Sequence, residues 1–148
     1  MKIQLLENEH INVVKDLFID VYSNAPWYDE WKGEEQVLQY LHELIDNKNS
    51  LSLVLYDDSD RLVGVSLGYI FSWWQGREYY IKEFFVSRAM QNQGLGSQFL
   101  ERIYEHLKQN EIESIILSTQ KDVPAFQFYH KNGFAEIKNN AFLYRNIT

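Results

Sequence analysis

Gln91-Asn92-Gln93-Gly94-Leu95-Gly96 sets two glycines one residue apart, where a strand-like run stops and a helix-like run begins. Upstream, residues 78–86 (EYYIKEFFV) are dense in aromatic and β-branched side chains, which suit a pleated, half-buried backbone. Downstream, Leu95, Phe99, Ile103 and Leu107 recur at helical spacing. Glycine has no Cβ, so an anion can approach its backbone, and the first N–H groups of a helix have no intrahelical acceptor. The helix dipole adds roughly half a positive charge at that end. The stretch reads as an anion turn suited to pyrophosphate, with a plain tight turn as the competing reading. Two familiar phosphate loops are excluded. The dinucleotide fingerprint needs a third glycine where Phe99 stands, and falls early in a βαβ unit; a Walker loop needs Gly-Lys-Ser or Gly-Lys-Thr, which the chain lacks.

Working outward, residues 2–6 read as a first strand and residues 7–9 as the start of a helix whose apolar stripe is Ile11, Val14, Leu17, Phe18 and Val21. Residues 23–31 (SNAPWYDEW) break the period with Pro26. A second helix buries Val37, Leu38, Leu41, Leu44 and Ile45 and ends over residues 47–50. Residues 51–56 and 61–71 are strand-like and joined by the acidic turn 57–60; Gln75-Gly76 then turns into the strand 78–86. After the glycine pair come a helix over 95–109, a strand over 114–118, a short helix over 124–131, and a strand pair over 135–138 and 141–145. The order β-α-α-β-β-β-α-β-α-β-β predicts one α/β (α+β mixed) domain spanning residues 1–148. The strand, helix, strand passage over residues 81–118 predicts a parallel pair with a right-handed crossover.

Composition narrows the function classes. The chain has 148 residues, 45% of them hydrophobic and 16% aromatic, enough for one sizeable core. Fourteen Lys and Arg against 21 Asp and Glu give a formal charge of −7, which opposes nucleic acid as a partner and attracts cations. With no cysteine there is no disulfide, thiol nucleophile or thiolate metal site, and His10, His42, His106 and His130 are scattered without ligand spacing, so no metal is expected. No stretch is long and apolar enough for a membrane span or a signal peptide, and a cytoplasmic location is expected.

The pattern Gln/Arg-x-x-Gly-x-Gly/Ala at a strand-to-helix junction resembles the acyl-CoA pyrophosphate loop of the GNAT superfamily of N-acetyltransferases. Residues 124–134 (PAFQFYHKNGF) look like that family's second signature: Ala125, then Tyr129 four residues later, then Gly133-Phe134. The resemblance covers about residues 50–146, and the first fifty follow the layout only loosely. It implies a central mixed, mostly antiparallel sheet of six to seven strands, splayed at the parallel pair of its fourth and fifth strands and flanked by about four helices. It implies acetyl-CoA as cofactor, with the pantetheine arm in the splay beside Phe85, Val86 and Ser87. The pyrophosphate then lies on Gln91, Asn92, Gln93, Gly94, Leu95, Gly96 and Ser97, and Phe126 and Tyr129 add cofactor contacts from the second signature. Gln91 stands where arginine is frequent in the family, so the grip leans on backbone donors; Arg88 offers a compensating charge or is a solvated loop residue. Asp122 stands where the family often has asparagine, and reads first as the cap of the helix over 124–131.

Acetylation of an amine requires removal of its proton and protonation of the departing thiolate. The resemblance implies Tyr129 as general acid. Glu83 lies among aromatics, on one face with Ile81 and Phe85 if the alternation is regular. Buried, it would be a base with a raised pKa; at a sheet edge it would be inert. Several family members have a base glutamate at this strand position, acting directly or through water, so the resemblance favours the base. Trp27, Tyr28, Trp31, Trp73 and Trp74, with Glu83 and the acidic residues Asp29, Glu30, Glu34 and Glu35, are the candidate acceptor site, an aromatic and acidic cradle for an alkylammonium. The competing reading has these aromatics packing helices or a dimer face. The expected activity is acetyl transfer from acetyl-CoA to a small amine. An acyl-CoA-binding sensor module and a protein N-acetyltransferase are the alternatives, and a homodimer is among the expected states.

Overall fold

The computed structural model describes all residues, Met1–Thr148. They form two compact units, Met1–Ser118 and Thr119–Thr148.

The first unit runs β1 (Lys2–Leu5), a short 3-10 turn (Asn8–His10), α1 (Ile11–Tyr22), α2 (Glu34–Ile45), β2 (Ser50–Tyr56), β3 (Leu62–Trp73), β4 (Gly76–Val86), a second 3-10 turn (Arg88–Met90), α3 (Leu95–Gln109) and β5 (Ser114–Leu117). The sheet order is β1-β2-β3-β4-β5; the first four strands pair antiparallel and β4 with β5 parallel. Parallel pairing stops at Ile81↔Leu117, while β4 continues to Val86 without that neighbour. This is the expected splay.

One face of the sheet is covered by α1 and α2. Val14, Phe18, Val21 and Tyr22 of α1 and Val37, Leu41 and Leu44 of α2 bury against Val54, Val65, Leu67 and Phe85. Spacings of three and four residues put each set on one stripe, as the sequence pattern requires. On the other face, Leu95, Phe99, Leu100, Ile103 and Leu107 form the buried side of α3. The Phe99 ring stacks on Phe84 with centroids 5.3 Å apart and lies over Gly64, whose missing Cβ makes room for it.

The ladder between β3 and β4 contains a bulge. Leu67 pairs with Glu83 and Gly68 with Ile81, so Lys82 is an extra residue in β4. Paired residues share a face and consecutive residues do not, so the bulge puts Ile81 and Glu83 on opposite faces. The regular alternation that grouped Glu83 with both Ile81 and Phe85 is corrected accordingly: Glu83 keeps the company of Leu67 and Phe85 under α1 and α2.

In the second unit α4 spans Pro124–Lys131, with Pro124 at its first position. Its N-cap is Val123, and no side chain caps it, so Asp122 is not the cap. Residues 135–148 form no strand, and the sheet has five strands instead of six to seven. The two short apolar runs lie on either side of Asn139-Asn140, and Phe142, Leu143 and Tyr144 are 82–94% exposed. A four- or five-residue hairpin has too few cross-strand pairs to stand alone in water. The first helix also begins later than its acidic lead suggests: residues 8–10 make a 3-10 turn, and α1 starts at Ile11.

Candidate active site

Glu83 is the centre of a cluster built by three elements. Tyr22, the last residue of α1, donates its hydroxyl to Glu83 Oε2 at 3.0 Å. Tyr40 of α2 donates to Glu83 Oε1 at 2.5 Å. Burial pushes the Glu83 carboxyl above the ordinary carboxylate range; the two tyrosine hydrogen bonds and nearby Lys82 pull the other way, and the charge of Asp29 adds to the push. Burial, followed by the adjacent Glu83 charge, holds the Tyr40 phenol far above its ordinary value, so Tyr40 stays protonated and remains a donor. A carboxyl held above its ordinary range binds a proton more readily than an exposed one, so the arrangement can accept a proton from a neighbouring group.

Aromatic rings wall this carboxylate. Phe18 and Tyr22 each pack on Phe85 at 5.6 Å, Trp27 meets Tyr22 at 5.7 Å, and Trp31 meets Tyr40 at 5.3 Å. The buried Trp31 Nε1 has no acceptor. Trp27 and Trp31 therefore join Glu83 in one cluster, and Asp29 is tied beside it by its N–H to the Tyr22 carbonyl at 2.8 Å. Tyr28 points outward, 67% exposed, and Glu34 is engaged by Lys15 Nζ at 2.9 Å. Trp73 and Trp74 are elsewhere. They sit at the β3–β4 turn, 57% and 80% exposed, and the run of β4 from Gly76 to Glu83 is about 20 Å long at strand rise. The four tryptophans are not one group.

Past the end of the parallel pairing, β4 leads into the glycine pair. Ser87 gives its N–H to the Val63 carbonyl at 2.8 Å. By antiparallel alternation the rung Val65↔Phe85 is then also hydrogen-bonded, and the polar backbone groups of Phe84 and Val86 face the side where β5 has ended. Phe85 is committed to the core by its side chain and to β3 by its backbone. Gln91 folds back on its own loop, Nε2 to the Val86 carbonyl at 3.4 Å, and Arg88 pairs with Asp20 at 3.3 Å, so neither side chain is directed by these bonds toward an anion. Backbone donors are in a different position. Asn92 and Gly94 have φ of 63° and 78°, Gly94 caps α3 without any side-chain cap hydrogen bond, and the first N–H groups of α3 lack intrahelical acceptors as at any helix start. No acidic residue occupies the first turn of α3. Uncapped donors at the positive end of a 15-residue helix, around a glycine with open space in front of it, fit a pyrophosphate.

In the second unit, Tyr129 lies in the last turns of α4, where its ring meets Phe128 at 5.2 Å and Phe134 at 5.3 Å, and Phe126 packs on His130 at 4.5 Å. Gly133, with φ of 91°, lets the chain reverse so that the Phe134 N–H reaches the Tyr129 carbonyl. The alanine, tyrosine and Gly-Phe of the signature are thus one helix and its terminating turn. One further group of chelating side chains, Glu7, Glu9 and His10, lies at the start of α1 on the surface and has no part in these sites.

Sequence reading missed Tyr22, Tyr40, Phe18 and Phe84. Tyr22 continues the buried stripe of Val14 and Phe18, and Tyr40 flanks Leu41, so helical spacing alone gives both a packing role. Their hydroxyls were the available signal, since a buried tyrosine needs a partner.

Residues 13–134 match the model of a family described as acetyltransferase (GNAT). A search of curated proteins finds no match. Among solved structures, a probable acetyltransferase is similar with a TM-score of 0.80 and 20% identity, covering 100% of this chain and 99% of the other. An aminoglycoside acetyltransferase from an uncultured soil metagenomic sample, in complex with sisomicin, has a TM-score of 0.73 and 18% identity over 99% and 96% of the two chains. The aminoglycoside 6'-N-acetyltransferase AAC(6')-IG of Acinetobacter haemolyticus has a TM-score of 0.73 and 17% identity over the whole of both. At such identities these likenesses show the fold.

Proposed function

The chain belongs to the acetyltransferase (GNAT) family and is an acetyl-CoA-dependent acetyltransferase, and we propose that its acceptor is the primary amine of a small cationic molecule, with Glu83 as general base. The observation that carries this reading is the half-buried Glu83 carboxylate, held by two phenols that themselves pack on Trp27 and Trp31, just past the end of the β4–β5 pairing.

Acetyl-CoA, when bound, supplies the acetyl thioester. Residues 92–97 would hold its pyrophosphate by backbone N–H groups, and Phe84 and Val86 would present strand-like partners to its amide arm. Glu83, directly or through one water, takes the proton of the amine; its raised proton affinity makes this transfer less uphill than for an ordinary carboxylate. Tyr129, on its place in the second signature, would be the residue to give its hydroxyl proton to the leaving sulfur. Trp27 and Trp31 offer π faces, and Asp29 a second charge, to an ammonium group. The formal charge of −7 draws cations toward the protein. Two solved structures of similar fold are of aminoglycoside acetyltransferases, which supports an amine-rich small molecule as acceptor. The family match across residues 13–134 spans both compact units and supports reading 1–148 as one domain.

The test is thiol release from acetyl-CoA against a panel of amines that includes sisomicin and simple alkyl amines. Acceptor-dependent thiol release is expected, with Glu83→Gln losing the acidic limb of kcat/KM and Tyr129→Phe losing at least tenfold in kcat at unchanged acetyl-CoA affinity. Binding of acetyl-CoA without release across the panel would count against a small amine.

A further inference from the structure

Glu83 is gripped from two helices at once. Tyr22 of α1 takes one carboxylate oxygen and Tyr40 of α2 the other. We propose that Tyr22 and Tyr40 are positioning residues for the acetyl transfer: together they fix the plane of the Glu83 carboxylate and aim its remaining lone pairs at the amine. The proposal rests on the reading of Glu83 as the base.

A carboxylate offers about four acceptor positions, so two donors leave it room for an amine or a bridging water. A lone hydrogen bond would leave the group free to turn about its terminal torsion; two donors on different oxygens, from separate helices, remove that freedom. The same side chains hold the wall of the cluster, since Tyr22 packs on Trp27 and Tyr40 on Trp31. Tyr22 also anchors the loop by accepting the Asp29 N–H at its carbonyl. Base and aromatic wall are therefore set by one pair of residues.

The groups that act on the Glu83 charge are Tyr22 from α1, Tyr40 from α2, Asp29 from the intervening loop and Lys82 beside it on β4. Both hydroxyls donate to the ionised form and favour it. Removing either makes Glu83 hold its proton more tightly, and a base that must be ionised then needs a higher pH. A charge-assisted hydrogen bond corresponds to about a tenfold change in proton affinity, or about one pH unit.

The experiment is a carbon-13 NMR titration of the glutamate carboxyls in the wild-type protein and in Tyr22→Phe and Tyr40→Phe, with Glu83→Gln identifying the resonance. Phenylalanine keeps the ring and its packing, and the titration needs no turnover. The Glu83 midpoint is expected to rise by about one pH unit in each phenylalanine variant. The acidic limb of kcat/KM, measured with an amine that turns over in the thiol-release panel, is expected to move by the same amount. An unmoved midpoint overturns the clamp, even with reduced activity, because a merely structural tyrosine lowers kcat without shifting a titration. A midpoint that moves while the acidic limb stays in place overturns the assignment of Glu83 as base, and the positioning role with it.

Discussion

Gly68 is where the sheet's geometry and the placement of Glu83 meet, and Gly68→Ala tests both. A Cβ at this position would lie 2.1 Å from the Tyr80 carbonyl oxygen and 2.9 Å from the Tyr79 ring. A carbon and a carbonyl oxygen meet comfortably near ~3.3 Å, so β3 and β4 must part by about 1 Å at the rung next to the bulge. Overpacking of this kind costs about 1–3 kcal/mol, and each ladder hydrogen bond that lengthens adds about 1 kcal/mol, giving a total of about 3 kcal/mol. For a chain of this length that is a fall in Tm of roughly 6–12 °C. Gly64→Ala is the control, because there the new Cβ meets only the edge of the Phe99 ring at 2.9 Å and a methylene of Leu55. A side chain can give way where a paired backbone cannot, so about 1 kcal/mol is expected. Urea unfolding with m held in common measures both. The functional consequence is read below the melting transition: parting the strands at Leu67↔Glu83 moves the carboxylate away from Tyr22 and Tyr40, so kcat/KM is expected to fall at least tenfold in Gly68→Ala. A Gly68→Ala protein as stable as Gly64→Ala, or one with undiminished activity, refutes the reasoning.

Glu83 also links stability to pH. Its folded-state pKa is raised, so its favourable contribution is complete below the unfolded value of ~4.3 and is lost as pH climbs through the higher folded value. Glu83→Gln is therefore expected to raise Tm at pH 8 and to show no gain at pH 4 in parallel thermal melts. Asp57 is the opposite case: hydrogen bonds from the backbone N–H groups of Arg61 and Ser59, and the Arg61 side chain, hold its carboxyl below the ordinary range in the β2–β3 turn. Its contribution is present above the ordinary carboxylate value and lost on acidification, so Asp57→Asn is expected to lower Tm at pH 7, with the gap closing below pH 3. Gly94→Ala forces a side chain into φ of 78° with no atom near enough to clash, so its cost is backbone strain alone, about 1–2 kcal/mol. Calorimetric titration with acetyl-CoA is expected to show affinity weakened about tenfold, and an unchanged affinity would separate Gly94 from the cofactor.

The glycine turn and the elements around it were legible because their signals are local. A two-residue or three-to-four-residue period reports which side of an element is buried, and the helices 95–109 and 124–131 came out at the bounds the structure has. The strand pair over 135–145 failed on the same principle, since alternation shows what a segment would do with a partner and not whether one exists. The four tryptophans looked like one set because they share a residue type, yet Trp73 and Trp74 ride the far turn of the hairpin.

From the sequence alone came the chemistry that a strand, Gly94, Gly96 and a following helix can support, together with Glu83 and Tyr129 as its titratable candidates. Only the tertiary structure decided what Glu83 is. Its face depends on one extra residue, Lys82, and a bulge is a property of two paired strands, not of either sequence. Its partners lie 61 and 43 residues away, on helices whose own patterns require only that Tyr22 and Tyr40 be large and apolar on the inward side. Periodicity fixes which way a side chain points from its own element; which atoms it meets there is settled by how the elements pack.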